Sequence, residues 1–257
     1  MTAATKILHR NLLVYRRTFR GSIFSSFVTP LLYLTAMGVG LGALISEDGR
    51  DVIGGYPFTH FLGPGLLAAT CMQSAVFEST FPIMGKIVWR RNYDAMLATP
   101  LSVWHIVGGE LLWIAFRMVL ISSVFLGVLA LFAIPRTPLA LLGIPAAVLT
   151  GVAFSAAIIS FAATQRNDAG FAWMFRFVIN PLFLFSGTFF PLSQLPEPAQ
   201  WAAAATPLYH GVALVRGAVL NDATLLAGWP WHASYLLAFT AVFTVVAHRL
   251  LRRRLVS

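Results

Sequence analysis

Val88–Glu110 reads VWRRNYDAMLATPLSVWHIVGGE, and its place between two long apolar runs decides the fold. With Arg90, Arg91, Asp94 and Glu110 it is too polar to cross a bilayer, yet it is too patterned for a plain loop. Tyr93, Met96 and Leu97 recur at i, i+3 and i+4 and make one apolar helical face, with Arg90, Arg91 and Asp94 on the other side. Thr99-Pro100 ends that helix, because the residue before a proline is driven out of the helical region. Ser102 then suits the N-cap of the following helix. A short amphipathic helix held between two membrane-length runs describes a polytopic all-α protein.

Composition agrees. The chain has 257 residues, 58% of them hydrophobic and 11% charged, where a soluble domain carries about a quarter charged residues. Too little polar surface remains to face water, so lipid is the main solvent. The net charge of +9 does not indicate nucleic acid, because the cations flank apolar runs. Lys6, Arg10, Arg16, Arg17 and Arg20 gather at the start, and Arg249, Arg252, Arg253 and Arg254 at the end. That is the placement of residues held on the cytoplasmic side near anionic lipid. Cys71 is the single cysteine, so no intrachain disulfide forms. The long basic start and the membrane-length run after it are expected to stay uncleaved.

A spanning helix needs about 20 mostly apolar residues, which predicts six spans, at about 24–45, 61–83, 106–132, 139–163, 171–190 and 231–249. Lys and Arg are abundant in the N-terminal segment, in 84–105 and in the C-terminal tail. They are scarce in 46–60, where Glu47, Asp48 and Asp51 face only Arg50, and in the turn holding Arg136. The positive-inside rule therefore puts both termini and the opening stretch in the cytoplasm. Residues 1–22 form a basic amphipathic helix, with Leu8, Leu12, Tyr15 and Phe19 on its apolar face, suited to the membrane interface.

Catalytic motifs are missing. There is no G-x-x-x-x-G-K-[ST] for ATP, no H-E-x-x-H among the six histidines, no Cys/His zinc cluster and no G-x-S-x-G elbow. Gly38-Val39-Gly40-Leu41-Gly42-Ala43 matches a dinucleotide pattern by accident, since it ends a membrane span; Gly38 and Gly42 read better as a helix-packing G-x-x-x-G. Ionisable groups in the spans are more informative, being costly there unless paired or functional. Glu110 and Arg117 share a face of the third span, and Lys86 follows Glu78 by eight residues. In antiparallel spans this spacing sets Arg117 level with Glu78, and Glu110 level with Lys86. Snorkelling to the interface and direct contact with substrate are the competing readings, and Arg176 lies at similar depth. Between the fifth and sixth spans, Glu197 to Ala205 suits a short helix, and Leu208, Val212, Val215 and Val219 mark another. The 191–228 segment is either re-entrant or packed on the outer ends of the bundle.

This pattern resembles the permeases of ABC type-2 transporters, and among them the nodulation-factor (lipo-oligosaccharide) exporters and their drug-exporter relatives. The likeness rests on RNLLVYRRTFRGSIFSSFVTPLLYLTAMGVGLG at 10–42, PFTHFLGPGLLAATCMQSAVFE at 57–78, RRNYDAMLATPLSVWHIVGGE at 90–110 and FLFSGTFFPLSQLPEPAQWAAAATPLYHGVALVR at 183–216. It implies that 88–99 is a coupling helix docking an ABC ATPase through Arg90, Arg91, Asn92, Tyr93, Asp94, Met96 and Leu97. Glu110, with Arg117 and Glu78, would transmit ATPase closure to the spans. The resemblance further implies two ATPase copies carrying ATP and Mg, no cofactor in this chain, and a second permease copy or paralogue in the membrane. Tyr33, Phe183, Phe185 and Phe189 are candidates to line the substrate path. The implied role is ATP-driven export of a lipo-oligosaccharide, lipid-linked saccharide or hydrophobic drug across the inner membrane. A membrane-embedded lipid-modifying enzyme and a passive channel are the alternatives.

Overall fold

The structure is a computed structural model that describes residues 3–16, 19, 28, 31–41, 52–53 and 55–256. Residues 24–27, 29–30 and 42–45 of the predicted first span, with Gly42 of its packing motif, and Arg50 with its three neighbouring acids lie outside these residues. The chain opens with α1 (Ala3–Tyr15), and a π-helical stretch Leu34–Leu41 belongs to the first span. Val52–Ile53 and Tyr56–Pro57 pair antiparallel across Gly55, whose φ of +85° suits a residue without a side chain. The second span is α2 (Phe58–Ser79). It breaks at Thr80, where Pro82 removes a backbone donor, and resumes through α3 (Phe81–Met84) and a π-helical turn to Trp89.

Next come α4 (Asn92–Leu97) and α5 (Val103–Leu131), then α6 (Gly143–Thr164), entered through a 3-10 turn from Pro138. The fifth helix runs from Ala169 to Phe185 as α7 (Ala169–Met174), a π turn and α8 (Asn180–Phe185). The 191–228 connection holds α9 (Glu197–Ala204), α10 (Pro207–Leu220) and α11 (Ala223–Ala227), and α12 (Trp229–Leu255) follows. Among the described residues, every regular element apart from the two-residue ladder is helical.

Among the described residues, three helices are long and apolar enough to cross a membrane: Val103–Leu131, Pro138–Thr164 and Trp229–Leu255. Ala169–Phe185 is shorter but apolar, and α2 has the length while carrying His60, Gln73 and Glu78. Central α6 packs on α2, α5, α10 and α12. Its small residues permit this: a Cβ on Gly151 would meet Met118 Cγ at 2.7 Å and the Cys71 carbonyl at 3.3 Å. Hydroxyls join the helices where no hydrophobic drive exists between apolar surfaces in lipid. Ser79 Oγ lies 2.8 Å from Ser155 Oγ, and Ser160 donates to the Phe243 carbonyl. By contrast, α12 buries only Leu236, Ala247 and Leu251 and turns Leu237, Val242 and Val245 outward, as a lipid-facing helix would.

Several extents differ from the sequence reading. The fifth helix stops at Phe185 rather than 190, because the chain turns at Gly187 with φ +79°. The helix expected over 88–99 covers only Asn92–Leu97: residues up to Trp89 continue the second span, and Arg91 turns the corner in the left-handed region at φ 47°. Ser102 caps α5 in a reciprocal arrangement with His105, worth about 1 kcal/mol. The C-terminal basic tail does more than snorkel, since Arg254 Nη1 donates to the carbonyls of Ala162 and Ala163 and closes the end of α6.

Candidate functional site

The end of the bundle that the positive-inside reading turns toward the cytoplasm, termed the inner end and the opposite one the outer, is built from α1, the tail of the second span, α4 and the start of α5. Because the second span and α5 run antiparallel, the charges singled out by spacing meet level for level. Arg117 Nη2 lies 3.1 Å from Glu78 Oε1, and Lys86 Nζ lies 2.6 Å from Glu110 Oε2. Glu110 is buried and Lys86 nearly so, so this is a desolvated pair in which each charge needs the other.

Two further groups converge on Glu110. Asn11 Nδ2 of α1 sits 3.5 Å from the same carboxylate oxygen, at the long limit of a hydrogen bond. Tyr93 of α4 is buried, at 1% exposure. Burial holds its pKa well above the ordinary tyrosine value, followed by the Glu110 charge and the hydrogen bond to that carboxylate, with Arg10 opposing. The aromatic wall is completed by Tyr15, edge-on to Trp113 at 5.6 Å and beneath the Arg117 guanidinium at 4.6 Å. Between these elements lies a cavity of about 420 Å³.

Tyr93 therefore turns inward, with Met96 and Leu97 half-buried beside it, and anchors α4 instead of offering a contact surface. Arg90 and Arg91 are exposed, and Arg91 Nε reaches Asp94 Oδ2 at 2.7 Å. Asn92 is half-buried at the cavity wall. Arg176 is exposed on the π turn of the fifth helix and does not join the cluster. For the path candidates, Tyr33 and Phe185 are exposed, while Phe183 and Phe189 pack edge-on to each other at 5.1 Å. These four are not brought together with the inner cluster.

Sequence reasoning missed the outer end. Arg216, the one cation of α10, donates from Nη2 to the carbonyls of Phe61 and Gly187 at 3.0 and 2.9 Å and covers the Phe61 ring at 3.8 Å. Gly65 makes room for this: a Cβ there would sit 2.8 Å from the Thr188 carbonyl and 3.0 Å from Arg216 Nη2. His210 and His232 meet Nδ1 to Nδ1 at 2.7 Å, and Tyr56 donates to Asp222 at 2.7 Å. A lone arginine in the apolar run LVRGAV was the available clue. Asn11 was similarly visible as a polar residue between Ile7 and Tyr15 on one helical face.

No grouping of three or more metal-binding side chains occurs among the described residues. What the inner cluster can do is mechanical: Lys86, Asn11 and buried Tyr93 bring the second span, α1 and α4 onto Glu110 of α5, and the separate Arg117–Glu78 pair joins the two spans again.

Comparison with known proteins agrees with this architecture. The profile of a family described as ABC-2 type transporter matches residues 3–220. The chain is 31% identical over 249 residues to Nodulation protein J of Rhizobium leguminosarum bv. viciae, covering 97% of this chain and 93% of the relative. It is 30% identical to Nodulation protein J of Sinorhizobium fredii over 98% of this chain and 93% of that protein. Nodulation protein J of Bradyrhizobium diazoefficiens is 31% identical, with 98% and 93% covered.

Proposed function

Since the chain belongs to the ABC-2 type transporter family, it is a membrane permease subunit and not an enzyme, and we propose that it serves an ATP-driven exporter of an amphiphilic substrate. The family works with an ABC ATPase. In our reading two ATPase copies bind ATP and Mg, two permease chains share the membrane, and this chain holds no cofactor. It crosses the inner membrane six times with both termini cytoplasmic. Relatives named for nodulation accord with the lipo-oligosaccharide class suggested by the sequence; lipid-linked saccharides and hydrophobic drugs share its amphiphilic chemistry.

The observation that carries the reading is the way α4 is hung. Arg90 and Arg91 at its start are exposed at the surface, while Tyr93 on the opposite face is buried and close enough to Glu110, in the first turns of α5, to feel its charge. A push on α4 from a docked ATPase would pass through Tyr93 to Glu110, then through Lys86 and the Arg117–Glu78 pair to the second span. The Thr80–Pro82 break beside Glu78 is where that span can bend.

Contacts of α10 support a re-entrant outer segment. Val219 meets the Arg136 turn and Gly143 at the start of α6, whereas Gly211 faces Thr150 two turns further in. Tyr235, well inside α12, donates to the carbonyl of Ala205. Thus α9 descends and α10 climbs back. The apolar flank of the fifth helix, with Trp173, Phe177 and Phe185 exposed, suits a partner permease or the substrate path.

Co-purification with the ATPase, followed by ATP hydrolysis and transport in proteoliposomes, tests the proposal. Arg91→Glu is expected to abolish ATPase association and transport while the permease remains inserted and monodisperse. The proposal fails if no ATPase associates with wild type and turnover is ATP-independent; unchanged transport by Arg91→Glu removes the coupling role of α4.

A further inference from the structure

The inner cavity of about 420 Å³ is lined by Arg10 from α1, Lys86 and Arg90 from the tail of the second span, and Arg117 from α5, with Glu78 the lining carboxylate. Glu110 holds Lys86 from behind and Glu78 holds Arg117. Four cations against these two acids leave two positive charges in excess, and they reside on Arg10 and Arg90. Arg10 Nη1 is buried and has no hydrogen-bond partner among the described residues, a state that disfavours the site until an acceptor arrives.

The rest of the lining is mainly apolar and aromatic, with Val14, Phe81, Pro82, Trp113 and exposed Trp89, beside the amides of Asn11 and Asn92. Guanidinium forks match phosphate oxygens, and tryptophan favours the headgroup level of a bilayer. A site lined by both cations and apolar side chains fits a phosphate carrying an acyl chain better than a free ion. We propose that this cavity takes the phosphodiester headgroup of an anionic inner-leaflet phospholipid, clamped between Arg10 of α1 and Arg90 beside α4. The bound lipid joins the N-terminal helix to the docking helix and makes the inner cluster lipid-dependent. The inference rests on the inward orientation proposed above, but not on any ATPase.

Native mass spectrometry of the full chain in mild detergent tests it, with phosphatidylglycerol, phosphatidylcholine of the same chains, and inorganic phosphate as separate probes. Wild type retains phosphatidylglycerol over phosphatidylcholine. Arg10→Gln and Arg90→Gln each weaken it about fivefold, by the usual contribution of one basic residue near a charged membrane surface, and Arg10→Lys falls in between. Arg90 is exposed, so its variant reports on binding even where Arg10→Gln disturbs folding. Arg249→Gln with Arg252→Gln, exposed on the C-terminal helix, leaves retention unchanged. Equal retention of the two lipids overturns the proposal, as does a double Arg10→Gln, Arg90→Gln variant that binds like wild type, or an equal loss in the Arg249 and Arg252 control. Displacement of the lipid by inorganic phosphate assigns the site to a free anion and overturns the lipid source. ATPase co-purification is scored on the same preparations. An associated ATPase without lipid selectivity sinks this inference alone, and lipid selectivity without an ATPase sinks only the exporter reading.

Discussion

Both ends of the molecule hold a guanidinium in apolar surroundings, and they satisfy it with different partners. At the inner end Arg117 meets the Glu78 carboxylate, beside the Lys86–Glu110 pair. At the outer end Arg216 meets the main-chain carbonyls of Phe61 and Gly187. A side-chain pair can separate and reform as helices slide, whereas carbonyls fix one backbone against another. On the proposed reading, the inner end suits movement and the outer end suits holding α10 in place.

The inner end offers the largest test of that contrast. Glu110→Ala strands Lys86 in a nearly dry site and should lower stability by about 3–5 kcal/mol, read by thermal unfolding in detergent. Lys86→Glu with Glu110→Lys should restore a substantial part, because both partners are side chains. A swap no better than the single variant would mean that the pair is a fixed structural element like the outer one.

At the outer end Arg216→Met should cost about 1–3 kcal/mol through the Phe61 and Gly187 carbonyls left without their donor. No charge exchange can repair it, since the acceptors belong to the backbone. Faster proteolysis in the 191–206 segment, with inner ion-pair coupling unchanged in a double-mutant cycle, would mark it as a static fastening. A change in the Glu78–Arg117 coupling energy on losing Arg216 would instead join the two ends into one device.

The same contrast governs what could be read beforehand. Glu78, Lys86, Glu110 and Arg117 were legible because charge topology set the direction of each span, and spacing then became depth. Arg216 was not, because its partners are carbonyls that every residue carries. The His210–His232 contact depends on how α10 crosses α12, which no periodicity encodes. Helix ends at Phe185 and Leu97 were blurred for a related reason. The first falls within FLFSGTFF, where phenylalanines continue on both sides of the Gly187 turn that sets it; the second segment begins at a left-handed Arg91 that residue type does not announce. Tyr93 was seen on the apolar face, but its tie to Glu110 needed the fold.

The smallest effect separates the rim of the outer end from its interior. Burial raises the pKa of Asp222, but hydrogen bonds from the Thr224 and Tyr56 hydroxyls and from the N–H groups of Leu225 and Thr224 outweigh it, leaving it below the ordinary 3.8. A carboxyl depressed on folding contributes stability above its unfolded pKa, lost as pH falls through the folded value. Tyr56 behaves oppositely: burial, then the hydrogen bond to Asp222 and its charge, raise it above 10.0 despite Arg136 and Arg216. Its contribution is complete below the unfolded tyrosine pKa and is lost as pH rises through the folded one. The bond between them should therefore act across the window bounded by these two transitions. Tyr56→Phe should cost about 0.5–1.5 kcal/mol near neutrality, with the difference from wild type shrinking as pH is taken below 3.8. Unfolding curves at acid and neutral pH measure it. A penalty that stays constant in acid would mean that Tyr56 acts by packing under Arg136, whose guanidinium lies 5.4 Å above its ring, and not through the Asp222 charge.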